Sequence, residues 1–214
     1  MASMPCRETR PGDVLEVLVL AVARRSCVAV DLASGAFVRI NEPSSPEIAL
    51  EPFDVARGRA KVAFSELGNE QPEYVAVDAP LKRIGALKPR AAEKYLKPLL
   101  HPSSNPILGL LGPSAPWWEL AGHQTVALIA PESRPMLTND ARGLRCSFQW
   151  SRQKQWLPVA DARLLQRLPR TPRHPSGAAH IEDILGFRPE RVVVTLTPPR
   201  GSQCHKVASG FLPR

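Results

Sequence analysis

The chain has 214 residues and a mass of 23.4 kDa, enough to bury a core without disulfide or metal staples. At 43 % apolar and 22 % charged it has globular composition. It lacks the ~18-residue apolar run of a membrane span and has no apolar signal core near its start, which predicts a cytoplasmic protein with no membrane partner. Lys and Arg number 28 against 20 Asp and Glu, a net of +8. That surplus divides unevenly, +1 over residues 1–100 and +7 over 101–214, as it would if the second half met a polyanion.

Twenty-three prolines, about twice the usual ~5 % share, disfavour long helices. Residues 1–13 read as a flexible N-terminus. Residues 14–23 are short, apolar and β-branched, a strand buried on both faces. After the polar break Arg24-Arg25-Ser26, residues 27–30 and 36–40 form a hairpin across the Asp31–Gly35 turn. Phe37 and Arg39 then share one face, Val38 and Ile40 the other. Residues 41–52 are a proline-bearing loop. Residues 53–64 are extended, with a bulge or bend at Gly58. Residues 67–80 read as irregular, and 90–100 as the mid-chain helix, which Pro98 must end or kink. The proline-rich stretch 102–116 is a linker or a long ordered loop.

In the second half, 125–129 is a strand. Residues 145–150 alternate polar with apolar and pair with 155–159 across 151–154. Asp161 can cap a short helix over 162–168. Residues 169–177 are a basic, proline-rich loop. Strands over 191–197 and 204–211 close the chain across the 198–203 turn. The sum is a mostly β protein of two small barrels: 14–101 with the helix, then 102–116, then the basic 117–214 with a short helix of its own.

Enzyme signatures are missing. The sequence has no phosphate-cradling glycine loop, no nucleophile elbow, no His-Glu-x-x-His and no Cys-x-x-Cys. Cys6, Cys27, Cys146 and Cys204 are far apart, and the two inside strands, Cys27 and Cys146, read as small core residues. The five histidines read as surface or capping residues. His180, Glu182 and Asp183 are the nearest approach to a metal cluster, and they point weakly to a metal-dependent hydrolase. The expectation is therefore a protein without catalytic residues, metal or cofactor.

Basic residues interleaved with aromatics are the stronger pattern. Nine cations fall within 134–173 (Arg134, Arg142, Arg145, Arg152, Lys154, Arg163, Arg167, Arg170, Arg173), against Asp140 and Asp161. Arg145, Phe148, Trp150, Arg152, Lys154 and Trp156 share the predicted hairpin. Cations there would track phosphates while flat rings stack on bases. Phe148 and Trp150 share a face, and that face is either the ligand platform or the inward side of the barrel. Trp117 and Trp118 read mainly as core closure. If either is exposed, the pair and 102–116 could instead dock a protein partner.

Several short motifs resemble the bacterial dual OB-containing domain family. The run from Leu18 to Arg25, then Cys27 to Arg39, is similar to its opening strand, basic break and "C-x-A-x-D-x-x-[ST]-G-x-W-x-R" hairpin. Phe53-Asp-Val55, Gln71-Pro-Glu73, the helix near 90–100, the hairpin ending in Trp156-Leu-Pro-Val-Ala-Asp161, and Val194 to Pro198 with His205 to Ala208 follow in the family's order, over about 14–211. Phe37, Ile40 and Tyr74 depart from it, standing where the family favours Trp, Pro and Asn. The resemblance implies two tandem OB-like barrels and nucleic-acid binding in a bacterial defence or regulatory system. On this reading Arg145, Trp150, Arg152 and Lys154 contact single-stranded or structured RNA or DNA. Arg39 either joins them at a barrel mouth or pairs with Asp31 or Asp54 as an architectural residue.

Overall fold

A computed structural model describes residues 10–23, 26–41, 49–61, 73–140, 143–168 and 176–214. The protein is mostly β, and no described helix is long and apolar enough to cross a membrane. It falls into two compact units. The first comprises 1–99 and 118–126, the second 100–117 and 127–214.

The first unit holds β1 (Val14–Val22), β2 (Ser26–Asp31), β3 (Phe37–Asn41), β4 (Asp54–Lys61), β5 (Tyr74–Val77) and β6 (Lys82–Ala86), followed by helix α1 (Pro89–Leu96). The first five strands close into a barrel. Antiparallel pairs join β1 to β2, β2 to β3, β4 to β5 and β1 to β4, and a parallel pair joins β3 to β5. β6 adds to the outer edge of β4. Strand β1 is flanked on both sides, so nearly all of it is buried, as its apolar run requires. The core gathers Leu15, Val17, Val19, Ala29, Val38, Ile40 and Val75.

Two expectations change here. Tyr74–Val77 is a strand, although its neighbourhood reads as irregular, because β3 and β4 supply a ladder on each side. Gly58 pairs in regular register with Leu15, and the ladder irregularity lies at Val55/Ala56. A Cβ at Gly58 would stand 2.6 Å from Leu81 Cδ2, so the glycine serves close packing rather than a bulge. Pro98 acts as expected. The α-helix stops at Leu96 and a 3₁₀ turn, Lys97–Leu99, follows.

The second unit holds two four-stranded sheets. One is ordered β11-β10-β9-β12, from β9 (Met136–Asp140), β10 (Gly143–Trp150), β11 (Gln153–Pro158) and β12 (Ser176–His180). The other is ordered β7-β14-β13-β8, from β7 (Ser114–Pro116), β8 (Val126–Ile129), β13 (Arg191–Leu196) and β14 (Gln203–Leu212). A parallel bridge from Val159 to Ala208 ties the exit of β11 to β14. Helices α2 (Ala162–Arg167) and α3 (Ile181–Leu185) flank β12 in the chain. Asp161 caps α2 by accepting from the Arg163 and Leu164 N–H groups at 2.9 and 3.4 Å. The core is built on Phe148, Trp150, Phe211, Ile129, Leu137 and Val194.

Lys206 is the unusual member of β14. It is buried, and its Nζ donates to the Leu110 carbonyl at 2.5 Å while its N–H donates to that of Pro113 at 2.8 Å. The segment 110–113, part of the proline-rich stretch, is thereby fixed to the sheet. Burial pulls the ammonium pKa down to about 8. Cys146, fully enclosed, has its thiol pKa raised far above the ordinary range by the same desolvation, as suits a core residue.

Candidate nucleic-acid interface

The β10–β11 hairpin carries the expected cations and aromatics, and its register sorts them. Arg145 pairs with Pro158, Ser147 with Trp156 and Gln149 with Lys154. Alternate side chains of β10 turn inward, so Cys146, Phe148 and Trp150 lie in the core. Trp150 is 1 % exposed. Its Nε1 donates to the Asn105 carbonyl at 2.9 Å, and its ring meets the His101 ring edge-on at 6.0 Å. Trp150 therefore offers no face to a base.

The exposed ring on this hairpin is Trp156, at 42 % exposure. The Lys154 ammonium lies 4.6 Å from its centroid and the Arg145 guanidinium 5.3 Å. Lys154 is two residues away on the same strand, and Arg145 is its diagonal neighbour across the ladder, so strand geometry sets both contacts. Each cation–π contact is worth about 0.5–1 kcal/mol at an exposed site. The outward face thus presents an aromatic plane and two cations within one side-chain radius. Sequence periodicity carried this signal, since Lys154, Trp156 and Pro158 alternate with Gln155 and Leu157.

The tip of the hairpin is strained. Ser151 and Arg152 both have positive φ, 50° and 61°, the two-residue turn geometry that ordinarily takes Asn-Gly. Glu132 holds it. Its Oε1 accepts from the Ser151 N–H at 2.8 Å and its Oε2 from the Arg152 N–H at 3.5 Å, while its own N–H donates to the Gln149 carbonyl. Arg152 projects from this turn and is exposed.

The remaining cations of 134–173 divide into two groups. Arg134 pairs with Glu182, Arg163 with Asp161 at 2.7 Å and with the Phe211 carbonyl at 3.0 Å, and Arg167 donates to the Ile184 carbonyl. These three hold the unit together. Arg142, Arg170 and Arg173 lie outside the described residues. Because Glu182 is engaged by Arg134, the His180, Glu182 and Asp183 grouping loses one of its carboxylates. Among the described residues no three His, Cys, Asp or Glu side chains converge as a metal site.

Arg39 belongs to the first unit and is half-buried. Its N–H donates to the Glu73 carbonyl at 2.6 Å and its Nη1 reaches Thr125 Oγ1 at 3.4 Å. Glu73 is 4 % exposed. Its Oε1 accepts from both the backbone N–H (2.7 Å) and the hydroxyl of Thr125, and its Oε2 is buried without a partner. The two motif positions Arg39 and Glu73 therefore converge on Thr125 and seat the 118–126 segment on its own unit. Asp54 is engaged by Arg83 at 2.6 Å and by the Glu51 N–H, and Asp31 accepts from the N–H and hydroxyl of Ser34. Trp117 and Trp118 do not close a core. They remain 44 % and 54 % exposed, in the short turn where the chain passes from the second unit to the first. Compared with protein-family models, curated proteins and solved structures, the chain gives no match.

Proposed function

We propose that this chain is a non-catalytic nucleic-acid-binding protein of the dual OB type, taking single-stranded or structured RNA or DNA on the outer face of the β10–β11 hairpin. The carrying observation is Trp156, exposed between Arg145 and Lys154, with Arg152 at the adjoining turn. A base stacks on the ring while the cations meet the flanking phosphates. The strand order β1-β2-β3-β5-β4-β1, with parallel β3–β5, supports the OB reading of the first unit. Five-stranded Greek-key barrels of that kind bind oligonucleotides, which supports the class of ligand. The family resemblance points the same way.

The experiment is an anisotropy titration of labelled single-stranded DNA, single-stranded RNA and duplex DNA at stepped salt. Micromolar or tighter binding, steeply salt-dependent, is expected for the natural chain. Trp156→Ala should weaken it by about 1–3 kcal/mol, the worth of one stacked base. Arg152→Glu/Lys154→Glu should abolish it. Absence of binding to all three probes at low salt would overturn the reading. A second reading, a protein-docking adaptor, is favoured by Leu111, 88 % exposed, and by the exposed Trp117 and Trp118. Salt-insensitive pull-down of a defined protein, lost on Trp117→Ala, would establish it.

A further inference from the structure

We propose that the solvent face of α1, in the first unit, is a separate docking surface for the phosphate backbone of a nucleic acid. The near-neutral charge of residues 1–100 conceals it. Between Lys82 and Lys97 stand six cations (Lys82, Arg83, Lys88, Arg90, Lys94, Lys97) and one carboxylate, Glu93. The helix sorts them by face. Ala92 and Leu96, with Leu99 of the following turn, are buried and fix which side points inward. Arg90, Lys94 and Lys97 recur at i, i+4 and i+7, fall on the opposite side and are exposed, as is Lys88 at the N-cap.

None of these four cations pairs with a carboxylate among the described residues, whereas Arg83 is held by Asp54. Lys94 and Lys97 suit the helix's C-terminal end, but its N-terminal half does not suit its cations. Arg90 and Lys94 are like charges at i, i+4, which oppose each other. Lys88 and Arg90 stand at the helix's positive end, in a first turn that holds no acidic residue. A bound polyanion relieves both penalties at once. Arg90 to Lys94 rises about 6 Å along the helix axis and Lys94 to Lys97 about 4.5 Å, so the stripe presents a row of cations along one side. The Lys94 ammonium lies 4.7 Å from the Tyr95 ring.

A lipid surface fits this face less well. An interfacial helix presents large apolar side chains to the bilayer. Here Leu96 is buried, Tyr95 is half-buried beside Lys94, and the exposed positions among the cations are Ala91 and Pro98. The stripe shares no residue with the β10–β11 hairpin and belongs to the other unit.

The test is Arg90→Gln/Lys94→Gln/Lys97→Gln in the full chain, beside Lys94→Gln alone and Trp156→Ala. Glutamine is a good helix former, and circular dichroism with a melting curve checks that each variant folds as the parent does. Single-stranded and duplex DNA are titrated at stepped salt, and phosphatidylserine vesicles are run in parallel. The triple variant should lower the slope of log K against log salt by about 2, the single variant by about 1, at roughly 0.7–0.9 per lost phosphate contact. Trp156→Ala should weaken binding and leave the slope unchanged. A triple variant with the parent's affinity and slope overturns the α1 proposal while leaving the hairpin reading intact. Vesicle binding lost in the triple variant, with DNA binding unchanged, overturns it in favour of a membrane surface. A parent chain that binds no nucleic acid overturns both.

Discussion

Trp150 and Trp156 belong to one hairpin and do opposite work. Truncating Trp150 opens a cavity in the core and strands the Asn105 carbonyl, so Trp150→Ala should cost about 3–5 kcal/mol of unfolding free energy. Trp156→Ala removes two exposed cation–π contacts and should cost about 1–2 kcal/mol. Urea titration of both variants separates the roles, and equal destabilisation would contradict the assignment. Lys206 gives a second test. Unfolded, its amine titrates near the ordinary 10.5; folded, near 8. Between those values the unfolded chain holds a proton that the folded chain lacks, so stability rises with pH there, by up to about 1.4 kcal/mol per unit. Below about 8 the full cost of the buried charge is present. In Lys206→Met that rise should vanish, read as the difference in urea midpoint from the parent on either side of the window. Residue chemistry of this kind was only partly legible. Arg39 could be singled out from the sequence, but its Thr125 partner lies 86 positions further along the chain and no local pattern links them.

At the scale of elements, a strand was readable where its own sequence is apolar and β-branched, as in β1 and β13, or alternates polar with apolar, as in β10. The capped helix α2 and the proline-ended α1 were readable from their punctuation. Strands β5, β6, β9 and β12 were not, because they are short and take their stability from a ladder that another segment provides. The hairpin was legible, but its turn is two residues rather than the expected 151–154, with Gln153 and Lys154 already in β11. Its strain could not be foreseen, since neither Ser151 nor Arg152 is a residue that favours positive φ. That strain leads to a prediction. Arg152→Gly should stabilise the protein by about 1 kcal/mol through relief of the left-handed backbone. It should also weaken nucleic-acid binding by removing a cation from the proposed face. Opposite signs in denaturation and anisotropy are the expected result; a loss in both would mean that Arg152 serves the fold.

At the scale of the whole chain, the sequence reading of mostly β structure with a short mid-chain helix is what the structure shows. The path of the chain between its units was not legible, because nothing in the 100–126 composition marks which unit each piece serves. Residues 100–117 supply β7, the acceptor for Trp150 and the acceptor for Lys206 to the second unit. Residues 118–126 bring Thr125 to Glu73 in the first. A fragment of residues 1–101 should therefore be less stable than one of 1–126, since it leaves the buried Glu73 carboxylate without its donors. A fragment starting at 117 should fold poorly, since it loses β7 and both acceptors. Melting curves of the two N-terminal fragments check the first expectation, and soluble yield of the C-terminal one checks the second.

The Glu73–Thr125 contact also sets a schedule for synthesis. Its two residues are 52 positions apart, so at the usual rate of translation roughly 3–10 s pass between them. For that interval the nascent first barrel carries a carboxylate meant for burial and nothing to receive it. The ribosome meanwhile delivers residues 100–117, which are destined for a unit whose sheets have yet to be made. The first unit thus finishes only after the second has begun, and a pause in translation before Thr125 would prolong the exposure of an incomplete barrel.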